Sequence, residues 1–268
     1  MYFICPVCKE KLDLTDKVYR CQNNHCFDKS KDGYVNLLMS QKSSDKRHGD
    51  DKTMVKARRD FLEEGYYKPL LDELCSVLSE IVKPQDDLID IGCGEGYYTK
   101  SILAATGCEL FGIDISKDAL KYAAKSMKEC QFAVASAFSL PFESSSADFI
   151  LNIFAPCPYQ EFKRVLKSKG KLVKVVPLEE HLWELKCALY AEPYKNKPEQ
   201  KDDELFTLEY EKELKYKINI ENSSHIENLF KMTPYYYKTS REDTEKLLSL
   251  EKLTTTVHFN IEVYRINE

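Results

Sequence analysis

The chain has 268 residues, 43% of them apolar and 12% aromatic, with a formal net charge of −5. This length suits one large domain with an attached module, or two domains, and the composition supports a sizeable core rather than disorder. No apolar run is long enough to span a membrane, and no basic stretch followed by an apolar one opens the chain. The expectation is therefore a cytoplasmic protein whose ten cysteines are mostly reduced thiols.

Residues 1–35 form a cysteine module. Cys5 and Cys8 sit two residues apart, and Cys21 and His25 three apart, with twelve residues between the pairs. Two close pairs of thiolate or imidazole ligands on separate turns can converge on one tetrahedral zinc. Cys26 competes with His25 for the fourth position, because neighbouring side chains point in different directions. A site with four protein ligands is closed, and so structural rather than catalytic. "KVYRC" reads as the strand that returns to the second pair.

Residues 36–60 are polar and basic and read as a linker running into a helix near Met54. Residues 1–59 hold thirteen basic against eight acidic side chains, while the remainder carries a net −10. A basic head on an acidic body suits a local contact with a polyanion. Lys42, Lys46, Arg47, Lys52, Lys56, Arg58 and Arg59 are the candidates for phosphate contact.

From about residue 66 helices and strands alternate. "YKPLLDELCSVLSEIV" has helical spacing and Pro84 ends it; "SILAAT" and "KDALKYAAKSM" are helices, and "EFKRVLKSKG" reads as a helix stopping at Gly170. "DLIDIG", "CELFGIDIS", "QFAVASA", "ADFILNIFA" and "KLVKVVP" read as buried strands, with "LKYKINI" and "TTTVHFNIEVYRI" as later ones. The series predicts an α/β fold, a mostly parallel sheet with helices on both faces, preceded by the small zinc-binding β module. Residues 61–268 would be the catalytic domain, and a chain starting near residue 61 is expected to fold by itself. Cys75, Cys108, Cys130 and Cys187 read as small core residues.

The strongest chemical signal is "DLIDIGCGEGYYT". Gly92, Gly94 and Gly96 follow a strand end and allow both a sharp turn and close approach of a ligand. Tyr97 stands where the dinucleotide fingerprint has its third glycine. Asp114 ends the next strand, where a carboxylate can accept hydrogen bonds from both ribose hydroxyls of an adenosine. With "SLPF" at 139–142 and "RVLKSKGKL" at 164–172, this set resembles the class I S-adenosylmethionine-dependent methyltransferases and their Rossmann-like sheet.

A closer resemblance runs nearly the whole length. "CPVC", "KDGYVNLL", "ARRDFLEEGYYKPL", "DIGCGEGYYT", "DISKDALKYAAK", "FAPC", "HLWELK" and "MTPYYY" occur in order, as in bacterial 23S rRNA guanine-N1 methyltransferases of the RlmA type. The resemblance implies zinc ligands at Cys5, Cys8, Cys21 and His25. It implies S-adenosylmethionine contacts at Tyr67, Gly94, Glu95 and His181, beside Gly92 and Asp114 from the glycine loop and ribose reading. It further implies that the module and linker grip an rRNA hairpin, that the enzyme is a homodimer, and that Asn152 lies where related folds meet their substrate. Tyr235, Tyr236 and Tyr237 are candidates for stacking on a base. The competing readings are a small-molecule, quinone-type methyltransferase and a non-catalytic RNA-binding protein on the same fold.

Overall fold

The computed structural model describes residues 1–39, 49–198 and 201–267. Strands β1 (Asp13–Thr15), β2 (Val18–Arg20) and β3 (Cys26–Asp28) make a small antiparallel sheet. The strands of a second sheet are β4 (Tyr34–Asn36), β5 (Asp87–Ile91), β6 (Glu109–Asp114), β7 (Gln131–Val134), β8 (Ala147–Ile153), β9 (Leu166–Pro177), β10 (Phe206–Ile220) and β11 (Leu253–Ile266). Their order in space is β10-β11-β9-β8-β5-β6-β7-β4. From β9 to β4 every pairing is parallel, whereas β11 runs antiparallel between β9 and β10. The order reverses beside β5, the point at which open α/β sheets bind their ligands.

The helices are α1 (Lys52–Glu63), α2 (Lys68–Ile81), α3 (Tyr97–Thr106), α4 (Lys117–Ser126), α5 (Tyr159–Val165), α6 (Trp183–Leu189), α7 (Ser223–Lys231) and α8 (Arg241–Leu248). Alternation along the strands sends Leu88, Leu110, Val134 and Leu151 to one face. There they meet Leu70 and Leu74 of α2, Ile102 of α3, and Leu120 of α4. Ile89, Phe111, Ala133 and Ile150 point to the other face. Helix α5 covers part of that face through Phe162 and Val165, but the rest is covered by the cysteine module through Phe3, Leu12 and Tyr19. Residues 135–146, which join β7 to β8, contain no helix. The module occupies that place: the Ile4 amide donates to the Pro141 carbonyl at 2.8 Å, and the Phe3 ring lies 5.6 Å from Phe111 and 5.4 Å from Phe142.

The packing therefore runs across both expected boundaries, at residues 35/36 and 60/61. Strand β4 extends the main sheet by pairing with β7, and α1 buries Phe61 and Leu62 in the core. A chain cut at residue 61 would lose a sheet edge, a helix and the cover of one face. This is why independent folding from that point is not expected of the structure.

Two local differences have physical causes. Helix α5 ends at Val165 rather than Gly170, because Leu166 turns extended and β9 begins there beside Ala147 of β8. Gly170 lies within that strand. Among the cysteines expected in the core, Cys108 and Cys130 are buried, Cys75 is half-buried and Cys187 is exposed.

Phe3→Ala is expected to cost about 3–5 kcal/mol, as for other buried aromatic truncations. It should lower a single melting transition by roughly 2–4 °C for each of those kcal/mol. A main transition left unmoved in differential scanning calorimetry would show that the module folds separately.

Candidate functional site

A cavity of about 800 Å³ opens at the carboxyl ends of the parallel strands. Its wall carries Gly92, Cys93, Gly94 and Glu95 after β5, Asp114 at the end of β6, Ala135 after β7, Asn152 and Ile153 of β8, and Val176 of β9. Gly49, Asp50 and Arg58 close it from the segment leading into and through α1, and Met232 to Tyr235 close it after α7.

The glycine loop is fixed by its backbone. Gly92, Gly94 and Gly96 have φ of 74°, 57° and 90°, left-handed values that favour glycine. A Cβ on Gly92 would lie 2.6 Å from that of Ala155, and one on Gly96 2.5 Å from the end of Met127, whereas Gly94 faces open space. The Gly92 amide donates to the Ile113 carbonyl at 2.7 Å, and the Gly94 amide to Asp114 Oδ2 at 2.9 Å. The Ser116 amide holds the other oxygen, Oδ1, at 2.7 Å. Burial pushes the Asp114 carboxyl up, and these two amides pull it back down. Behind the loop, Asp90 is buried, with Thr99 donating to its Oδ2 at 2.6 Å. Burial, with Asp114 and Glu95 nearby, drives the Asp90 carboxyl up to about 7.

Each cofactor residue expected from the sequence, Tyr67, Gly92, Gly94, Glu95, Asp114 and His181, lines this one cavity. Tyr67 Oη, Glu95 Oε2 and Tyr98 Oη are buried without a hydrogen-bond partner among the described residues. A buried polar atom without a partner is costly, and a polar ligand in the cavity would supply one. His181 Nδ1 accepts from the His258 amide at 3.3 Å, which leaves the ring proton on Nε2 as a donor. Burial, aided by Lys186 and His258, lowers His181 to about 3, so the ring is neutral at ordinary pH. The open approach at Gly94, the Asp114 carboxylate at the strand end and the three unpartnered atoms suit the polar groups of S-adenosylmethionine.

Arg58 stands out in the sequence only as one charge in a basic run, yet it lines the cavity, paired with Asp50 and donating to the Met232 carbonyl at 3.5 Å. It does not lie free for phosphate. Two other candidates on α1 have acidic neighbours: the exposed Lys56 pairs with Asp60, while Arg59 reaches Asp60 at 3.1 Å and lies 4.8 Å over the Tyr122 ring. Lys52 is exposed, and Lys42, Lys46 and Arg47 lie outside the described residues. Of the three tyrosines, Tyr235 lines the cavity, Tyr236 packs against the core and Phe230, and Tyr237 is exposed and donates to Asp51 Oδ2 at 2.6 Å. Phe138, which belongs to no motif, and Phe154, which opens "FAPC", are exposed aromatics on the cavity wall.

In the cysteine module, one ligand atom each from Cys5, Cys8, Cys21 and His25 lies within 4.8 Å of the others. His25 Nδ1 is 3.3 Å from Cys21 Sγ and 3.5 Å from Cys5 Sγ, and Cys8 Sγ is 3.6 Å from Cys21 Sγ. Ligands around one tetrahedral zinc, at about 2.0–2.3 Å from it, stand at about such separations. The Asn23 side chain and the backbone at Glu10 pull the Cys8 thiol down to about 6, towards the thiolate that binds metal. Cys26 is exposed and turned away, its thiol donating to the Asn24 carbonyl at 3.3 Å.

Two measurements check these sites. Metal analysis of Cys8→Ser should show zinc lost, and of Cys26→Ser one zinc retained; the reverse pattern would move the fourth ligand. Asp90 has a raised folded carboxyl, so its contribution to stability is present below its unfolded value of 3.8 and is lost as pH rises through about 7. Asp90→Asn should therefore gain stability over the wild type across that window, by up to about 4 kcal/mol. A difference in melting temperature that does not change with pH would refute the shift.

Comparison with known proteins fits this geometry. The family model described as RlmA, N-terminal, a zinc ribbon, matches residues 3–46, and a methyltransferase-domain model matches residues 89–174. YxjB of Bacillus subtilis (strain 168), named in the class of 23S rRNA (guanine-N(1)-)-methyltransferases, is 32% identical over 97% of this chain and 95% of its own. The 23S rRNA (guanine(748)-N(1))-methyltransferase of Streptomyces fradiae is 35% identical over 70% of this chain and 68% of its own. The solved YcgJ protein of Bacillus subtilis, 16% identical, superposes with a TM-score of 0.50 over 74% of this chain and 97% of that one, which shows the shared fold. The methyl donor is S-adenosylmethionine, and the ribbon holds one structural zinc at the four-residue cluster. Ribbon, glycine-loop cavity and a relative matched over almost its full length together establish that the chain belongs to the RlmA-type family of 23S rRNA (guanine-N1-)-methyltransferases.

Proposed function

We propose that the chain methylates N1 of a guanine in a hairpin of 23S rRNA, and that Tyr67, Gly92, Gly94, Glu95, Asp114 and His181 hold the methyl donor. The observation that carries this is the cavity: a ribose-type acceptor, an open glycine loop and three unpartnered buried polar atoms face one space. When bound, S-adenosylmethionine supplies a methyl carbon made electrophilic by its sulfonium. The protein has to place a nucleophile in line behind that carbon. The cavity's volume of about 800 Å³ leaves room for a base beside the donor.

Guanine N1 carries a proton that must leave for its lone pair to form the new bond. Asn152 donates from Nδ2 to the Pro156 carbonyl at 3.1 Å, which orients its amide and leaves Oδ1 to accept from a guanine N–H. As a neutral amide it positions the base and takes no proton; the N1 proton passes to solvent water as the new bond forms. Phe138 and Phe154 offer faces for a base drawn out of its stack. Phe154 has φ of 53°, a left-handed backbone unusual for a bulky residue, and such strain gathers at binding sites.

Residues 1–35 with the basic stretch 36–60 serve as the part that meets the rRNA, and residues 61–268 as the catalytic part, to whose cavity Gly49, Asp50 and Arg58 add a wall. The zinc ribbon favours this over a small-molecule substrate, which would need no such module. A homodimer acting in the cytoplasm belongs to the same reading.

The test is primer extension on unmodified 23S rRNA fragments incubated with the protein and S-adenosylmethionine. A methyl on N1 blocks the pairing edge and stops the polymerase, so a single new stop at one guanine is expected. Phe154→Ala should slow its appearance by about tenfold or more, since stacking is worth about 1–3 kcal/mol per base. No new stop on any fragment would overturn the proposal.

A further inference from the structure

Four carboxylates, those of Asp50, Asp90, Glu95 and Asp114, line the cavity, against a single cationic side chain among the described residues, Arg58. His181 does not add a charge, since it is held neutral. Such a wall repels an anion everywhere except at the guanidinium. Arg58 uses one N–H on Asp50 and another on the Met232 carbonyl, which leaves further donors of its five-donor fork without a partner among the described residues. Glu95 is the complementary group. Its Oε2 is buried with no partner among the described residues, and the charge of Arg58 opposes the upward push of burial on its carboxyl. An unpartnered buried acceptor and a guanidinium with spare donors on the wall of one cavity match a ligand end carrying an ammonium and a carboxylate together.

Resting on the reading of the cavity as the methyl-donor site, we propose that Arg58 and Glu95 clamp the α-amino-acid end of the donor, Arg58 taking its carboxylate and Glu95 its ammonium. Arg58 is then a specificity residue: it makes the site reject donors that lack the carboxylate. The clamp also changes the meaning of the basic segment. Gly49, Asp50 and Arg58 are part of the cofactor wall, tied down by Ser116 Oγ donating to the Asp50 carbonyl at 2.7 Å. Occupancy of the cavity thereby bears on the stretch of chain that leads back to the zinc module.

The experiment is calorimetric titration of the full-length protein with S-adenosylmethionine and with decarboxylated S-adenosylmethionine, without RNA. The wild type should prefer the intact compound by about tenfold or more, the worth of one charged hydrogen-bonded contact. Arg58→Gln should weaken the intact compound by a similar factor and leave the decarboxylated one nearly unchanged. Glu95→Gln should weaken both, because both keep the ammonium. Equal losses for the two compounds in Arg58→Gln, or no loss for either, would overturn the clamp while leaving the cofactor site standing. Should a variant fail to fold, the wild-type preference decides alone: equal affinity for the two compounds sinks the proposal. Binding of neither compound by the wild type would overturn the reading of the cavity itself.

Discussion

The hydrogen bonds that tie the glycine loop to the end of β6 are the constraint on which the site depends. Gly92 and Cys93 both donate to the Ile113 carbonyl, at 2.7 and 3.1 Å, and Gly94 donates to Asp114. These bonds hold three left-handed glycines in a turn that no chain with side chains could follow at Gly92 or Gly96 without collision. The turn starts α3 and exposes the Gly94 backbone to the cavity. It also fixes the Asp114 carboxylate through both oxygens, so the acceptor we propose for a ribose is in place before any ligand arrives. Such preorganisation lowers the cost of binding.

Concentrating acids around that turn has an electrostatic cost, and the fold offsets it locally. Asp90 is buried beside Thr99, and its surroundings drive its carboxyl up to about 7. Asp114 is stabilised by two backbone amides, and Glu95 by the charge of Arg58. The zinc module has an equally structural role. By covering the sheet face where β7 passes to β8 without a helix, it completes a core that the catalytic part lacks alone. Zinc binding, which stabilises a module too small to fold without it, is therefore linked to the stability of the whole chain.

What is legible in the sequence follows from the range of the forces involved. Continuous apolar runs mark the buried strands, glycines mark the turn, and paired spacing marks the metal ligands, because each is a local requirement. The choice between His25 and Cys26 needs three dimensions: the left-handed Asn24, φ of 61°, turns one side chain in and the other out. Helix α5 is shorter than its pattern suggests, because the helical spacing in "EFKRVL" runs on into residues that the parallel neighbour β8 draws into a strand. The role of Arg58 is hidden for the same reason. Its pairing with Asp50 could pass for a surface ion pair, and its second contact, Met232, is 174 residues away in sequence. The cover that the N-terminal module gives the sheet likewise depends on contacts such as Ile4 to Pro141, which no local pattern announces.

The central claim is that the space framed by the glycine loop and Asp114 is a preformed site for an adenosyl amino acid. Calorimetric titration of the whole chain with S-adenosylhomocysteine tests it most directly, compared with the same titration of Asp114→Ala. One molecule should bind per chain, and the substitution should weaken binding by about 1–3 kcal/mol, the cost of stranding hydrogen-bonded groups. An unchanged dissociation constant in Asp114→Ala would contradict the account.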